Sequence, residues 1–303
     1  MKVCVSCLLL LPLLAVGAYA DLLPVPASSF AVLGGSAVTN TGFTTLGGDL
    51  GVSPGSSITG DGTITLSGSI YTPPSLADSA HAAASAEYTI LAAMIDNGGS
   101  LTGDLTTLGP LGGASCLSSG LCVYNVAAPA AGFSLDSGGV LTLNFAGLSN
   151  ANIVFQMTSA LITGSGSSVR IINGDTTDHV YWEVGSSATI GTTTSFVGSI
   201  IANIQVAMQT GATDGCGNVI ALTGAVTLDN NTISTGCTIS TTSSVGPPPV
   251  AVGTVTPVIT FTGPPTVLVV TPEPGTWLLL GSCIAVLAAQ RRWARATRPT
   301  SKS

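Results

Sequence analysis

Apolar residues in this chain come in short β-branched runs, each closed within a few positions by Gly, Asn, Asp or Ser. Such runs occupy 36–39, 62–66, 140–145, 152–157 and 180–184, and continue through 199–204, 219–222 and 224–228. Short strands at regular spacing between turn signals predict an all-β architecture. Val180, Ile200 and Ile220 open similar apolar steps about twenty residues apart, and Val154 opens another ahead of an insertion at 173–179. A period of that size points to a solenoid, in which each rung buries its inward alternate residues. Its outward residues then stack into ladders along a flat face. A β-sandwich built from the same short strands stays open as the alternative.

One segment breaks the β pattern. After Pro73-Pro74-Ser75, residues Leu76, Ala80, Ala83, Ala84, Leu91, Met94 and Ile95 fall on one helical stripe. Ser75 with Asp78 has the form of a capping box, and Asn97-Gly98-Gly99 ends the run. The expectation is one helix over about 75–96, its Ala-rich stripe lying close against the side of the solenoid.

Both ends read as processing segments. Met1-Lys2, an apolar run over 5–16 and the small-x-small Ala18-Tyr19-Ala20 make residues 1–20 a cleavable signal peptide. The mature domain then spans 21–240, followed by a Ser/Thr/Pro-rich linker over 241–271 with Pro247-Pro248-Pro249. In the tail, 272–303, an apolar segment at 277–289 is followed by Arg291-Arg292, a basic stop to translocation. The segment is shorter than the roughly 20 residues of a full span. The string from Thr271 through Pro272-Glu273-Pro274 to Gly281, closed by Arg291-Arg292, resembles the PEP-CTERM sorting signal of Gram-negative bacteria. The resemblance implies recognition and removal by an exosortase, transient inner-membrane anchoring through this tail alone, and a final place outside the cell or on its surface.

Charge narrows the partners. From residue 21 to 271 there are thirteen acids and one base, Arg170, a formal charge of −12. A lone base cannot neutralise a row of phosphates, which excludes nucleic acid, and the same argument disfavours an anionic membrane surface. Four cysteines remain in the mature part: Cys116, Cys122, Cys216 and Cys237. An even number in an exported chain suggests two disulfides, with three pairings open; local spacing favours Cys116–Cys122 and hence Cys216–Cys237. A zinc site is the rival reading, but neither pair has the roughly two-to-four-residue gap of a structural site.

No catalytic constellation emerges. The two histidines, His81 and His179, fall on the expected helix and in the insertion loop, and no nucleophile elbow or phosphate loop is present. Asp175 and Asp178 beside His179 read as a solvated loop, and Asp49 as a turn former. Glu183 lacks a second carboxylate to work with. The expectation is a protein that is not an enzyme and uses no cofactor or metal.

Phe30 to Gly42, Gly47-Gly48-Asp49-Leu50-Gly51-Val52-Ser53-Pro54-Gly55, and the runs beginning at Asn152, Gly164, Val180, Ser195 and Thr223 resemble, in order, the microbial ice-binding-protein-like family. The resemblance spans roughly 28–236. It implies a right-handed β-solenoid of triangular section flanked by a single α-helix, adsorbing to ice crystals through one flat, weakly polar face. Hydroxyls and methyls spaced by rungs, about 4.7–4.9 Å apart, would meet ordered water there without a chemical step. Some members carry Thr-[Ala/Gly]-x-[Thr/Asn] on that face, and Thr210-Gly211-Ala212-Thr213 fits it. Stacking by about twenty residues groups Thr192, Thr193, Thr213 and Thr232, and separately Thr163 and Thr189 with Thr39 and Thr41. The alternative is a non-catalytic adhesion solenoid of the cell surface or matrix, with extracellular polysaccharide as its partner.

Overall fold

The computed structural model describes residues 21–126 and 133–237. The segments expected to be signal peptide, linker and sorting tail lie outside the described residues. Within them the chain winds as a coil of three parallel sheets. Sheet A runs Ile70–Tyr71, Asp49–Val52, Phe30–Gly34, Val219–Ala221, Ser199–Ala202, His179–Val184, Asn152–Met157, Leu121–Val126, Gly99–Leu101. Sheet B runs Ser57–Thr59, Ala37–Thr41, Val226–Asp229, Val206–Met208, Ala188–Ile190, Leu161–Thr163, Phe133–Leu135. Sheet C runs Ile64–Leu66, Thr44–Gly47, Thr232–Ser234, Thr213–Asp214, Ser195–Phe196, Ser168–Ile172, Val140–Asn144, Leu111–Gly112.

The order carries a discontinuity. Val32 and Leu33 pair with Val219 and Ile220, so the first coils of the chain stack on its last ones. A helix, Leu76–Ala92, then carries the chain from the end formed by Ile70–Tyr71 to the far end at Gly99–Leu101.

Two apolar layers hold this together. Inside the coil, alternate residues of the three sheets meet, and on sheet A the rings of Tyr124, Phe155 and Trp182 stack at centroid distances of 5.5 and 4.2 Å. The Trp182 indole N–H donates to the Val197 carbonyl at 3.0 Å, so its polar edge is satisfied. Outside sheet A, a second layer of Leu33, Val123, Val154, Tyr181, Ile201 and Ile220 is roofed by helix residues Ala77, Ala80, Ala84 and Leu91. The small alanines let the helix lie close to the sheet.

The helix begins as its sequence dictates. Ser75 Oγ accepts from the Ala77 N–H, and Asp78 Oδ2 accepts from the Ser75 N–H, closing the capping box. Its buried stripe is Ala77, Ala80, Ala84, Glu87 and Leu91, whereas Leu76 is exposed. The helix ends at Ala92, short of Asn97, because Gln156 from sheet A donates to the carbonyls of Leu91 and Met94 at 2.7 and 2.8 Å. Ile95 is left exposed beyond that end. Disulfides join Cys116 to Cys122 and Cys216 to Cys237, the latter tying a C–A corner to the end of the strand Thr232–Ser234.

Candidate functional site

The helix covers the outer surface of sheet A, leaving the outer surfaces of sheets B and C open. On sheet B the register puts Thr59, Thr39, Thr227, Ala207, Thr189 and Ile162 in one central rank. Their neighbours on each strand, such as Val38, Val226, Val206 and Ile190, are buried, which fixes the rank as outward. A second rank runs along the edge toward sheet C. The Gly211 N–H donates to the Asp229 carbonyl, the Thr193 N–H to that of Thr210, and the Asn230 N–H to that of Thr41. Thr41, Asp229, Thr210 and Thr192 are therefore stacked. Between the ranks lies a shallow trough lined by Thr41, Thr192, Ala207, Gln209, Thr210, Thr227 and Asp229.

On sheet C one outward rank is continuous: Thr65, Thr45, Thr232, Thr213, Ser195, Ser168 and Val140. A second outward row is broken into pieces, Ser234 with Gly47 on one side and Thr142 with Arg170 on the other, because the strands at 195–196 and 213–214 between them are two residues long. The exposed Arg170 guanidinium stands on the same sheet.

The threonines singled out from spacing therefore fall in several places. Thr39 and Thr189 share the central rank of sheet B, and Thr41, Thr192 and Thr210 its edge rank. Thr213 and Thr232 are neighbours on sheet C. Thr193 is not in their ladder but at the corner, because successive coils here advance by 18 and 19 residues, Ser195 to Thr213 to Thr232. A step of twenty slips the alignment by two and puts Thr193 where Ser195 stands. Thr163 faces inward: it is buried, accepts the Gly191 N–H at 2.7 Å and contacts Thr194 Oγ1 at 3.2 Å. Its side chain is not part of any outer face. Thr45, Thr59, Thr65 and Thr227 were missed, although each stands beside an apolar residue that packs inward (Leu46, Ile58, Leu66, Val226) and a correct rung length would have found them.

The turns that present the edge rank are stapled from beneath. Asn231, buried, donates from Nδ2 to the carbonyls of Gln209 and Ala212, both at 2.9 Å, and accepts from the Asp229 N–H. It thereby fixes the turn holding Thr210 and the strand end holding Asp229. One rung away Asn40 ties Gly42, Gly60 and Thr63, and Thr194 ties Gly164 further along.

The charge of the B surface is small and engaged. Asp229 accepts from Thr210 Oγ1 at 2.5 Å and from Asn230 Nδ2 at 2.9 Å. The other acids lie elsewhere. Asp178 is not a solvated loop residue; it is fully buried, accepts from the N–H groups of Ala151 and Asp175, and burial raises its pKa. Glu183 lies under the helix, where burial raises its pKa against a hydrogen bond from Tyr88. Asp49 Oδ1 accepts from the Ser69 N–H between coils.

The sequence profile of a family described as ice-binding-like matches residues 32–234, and one described as the PEP-CTERM protein-sorting motif matches 270–292. An ice-binding protein of Nostoc sp. (strain HG1) is 41% identical over 211 residues, covering 70% of this chain and 73% of that one. The crystal structure of an ice-binding protein from an Antarctic biological consortium aligns with a TM-score of 0.58 at 34% identity, over 70% of this chain and 90% of its own. That of an ice-binding protein from the Antarctic ascomycete Antarctomyces psychrotrophicus aligns with a TM-score of 0.57 at 30% identity, over 73% and 98%.

Proposed function

The chain belongs to the ice-binding-like family, and we propose that it adsorbs to ice through the outer surface of sheet B. The observation that carries this reading is the pair of parallel ranks on that surface. Rungs of a parallel sheet are about 4.8 Å apart, and alternate residues of a strand about 6.6 Å apart. The two ranks stand two residues apart at Thr39/Thr41 and Thr227/Asp229 and three apart at Ala207/Thr210 and Thr189/Thr192, and so extend the array of hydroxyls and methyls in a second direction, whereas on sheet C only one line is continuous. An adsorbing surface must match ice in two directions to hold it, and this favours B over C.

The chemistry suits the task. Threonine gives a hydroxyl that joins a water lattice and a methyl that does not disturb it. Charged groups would hold their own hydration shells, and the carboxylate within the edge rank, Asp229, is already bonded to Thr210 and Asn230. The trough between the ranks gives ordered water a place to sit. Binding and growth arrest need no bond to be made or broken, so the protein acts without catalysis.

The PEP-CTERM motif at 270–292 supports export to the cell surface or beyond. On this reading an exosortase processes the tail, and the apolar segment at 277–289 holds the precursor in the inner membrane until then. The experiment is direct: thermal hysteresis and ice recrystallisation inhibition of the purified exported protein. A freezing gap with faceted crystals is expected. Growth indistinguishable from buffer at high protein concentration would sink the proposal.

A further inference from the structure

The corner between sheets B and C turns through a column of left-handed residues. Gly42, Asn230, Gly211, Thr193, Gly166 and Gly138 stack there, each with φ between 53 and 79°. Glycine takes this conformation freely and asparagine at small cost, so five of the six positions are explained by backbone need. Thr193, at φ 56°, is not. A β-branched residue is strained in this region, and strain persists where something else selects for the side chain.

Packing does not select for it. Thr193 is exposed, and the residues above and below it in the column are glycines 211 and 166. Its Cγ2 lies 3.6 Å from where a Cβ on Gly211 would stand, so the methyl rests over bare backbone. Its hydroxyl donates to the carbonyl of the preceding residue, Thr192, at 2.7 Å, and staples no other rung. What the side chain does have is position. It stands next to Thr192 on the edge rank, at the point where the array of sheet B meets the corner.

We propose that Thr193 is an ice-contacting residue that carries the adsorbing surface around the corner, and that its strain is the stability cost of that contact. This rests on the reading of sheet B as the ice surface. It sets stability and activity in opposition at a single position, a pattern that a structural role does not produce.

The test is Thr193→Gly and Thr193→Asn in the exported protein, with thermal unfolding and thermal hysteresis read on each. Thr193→Gly is expected to raise the unfolding midpoint by about 2–4 °C by relieving the strain, and to lower hysteresis to about half at equal concentration by removing the contact. Thr193→Asn, which tolerates the conformation but lacks the methyl, is expected to unfold no earlier than wild type and still to lose hysteresis. Unchanged hysteresis in both variants would overturn the proposal, as would a fall in midpoint in both, which would make Thr193 a structural residue. A wild-type protein without hysteresis would instead refute the ice reading itself, a result seen before any variant is compared.

Discussion

At the scale of single residues, the stability of the coil is tied to protons it retains. Asp214 points into the coil between Phe196 and Ile233, fully buried, with only the backbone amides of Cys216 and Gly198 facing its carboxyl group. Burial pushes its pKa up to about 8, with the nearby amides of Cys216 and Gly198 opposing the rise. Glu87, on the buried face of the helix, is pushed to about 7 by burial and by the charge of Asp21. For both groups the folded state keeps a proton that the unfolded chain gives up near pH 4. Their contribution is therefore fully present below the unfolded pKa and is lost as pH rises through the folded one. The slope for one such group is about 1.4 kcal/mol per pH unit at most. Unfolding midpoints are expected to fall between about pH 5 and pH 9, and Asp214→Asn to flatten that fall, since the amide stays neutral throughout. An unchanged pH profile in the variant would contradict the assignment. In the sequence Asp214 was one acid among thirteen, because nothing local says that a strand of two residues turns it inward. Thr163 and Ile162 carry the same lesson. Threonine fits both faces of a strand, and here the isoleucine is out and the threonine in.

At the scale of elements, the start of the helix was legible and its end was not. The capping box lies within four consecutive residues. The terminator, Gln156, is contributed by a strand about sixty residues further on. Gln156→Leu would take the side-chain donor from both carbonyls, leaving Leu91 with the Met94 N–H at the helix end and Met94 without this partner, at a cost of about 1–3 kcal/mol. It lies on the covered face, so hysteresis near 0 °C, where the protein remains folded, is expected to stay at the wild-type level. A loss of hysteresis in that variant would mean that the helix side takes part in adsorption. The corner turns were readable only in part: the Gly and Asn signals marked them, but the seam of Asn40, Asn231 and Thr194 beneath joins residues that are far apart in the chain.

At the scale of the molecule, period and strand pattern pointed to the solenoid, and the Ala stripe to a flanking helix. Rung length was the weak point. Coils advance by 18 or 19 residues late in the chain but by 27 from Asn152 to His179, so one fixed period misaligned the outer threonines. Nor does the sequence announce that Phe30–Gly34 stacks on Val219–Ala221, since parallel pairing leaves no mark of which rung is next. That stacking completes the array by placing Thr39 beside Thr227 and Thr41 beside Asp229. On the proposed reading sheet B, not sheet C, meets ice. Paired substitutions test it most directly: thermal hysteresis of Thr227→Tyr, in the middle of the B array, against Thr232→Tyr, in the middle of the C rank. Both sites are exposed, so both variants should fold. Hysteresis is expected to be largely lost in Thr227→Tyr and kept in Thr232→Tyr; the reverse outcome, or no loss in Thr227→Tyr, would rule out sheet B as the ice surface.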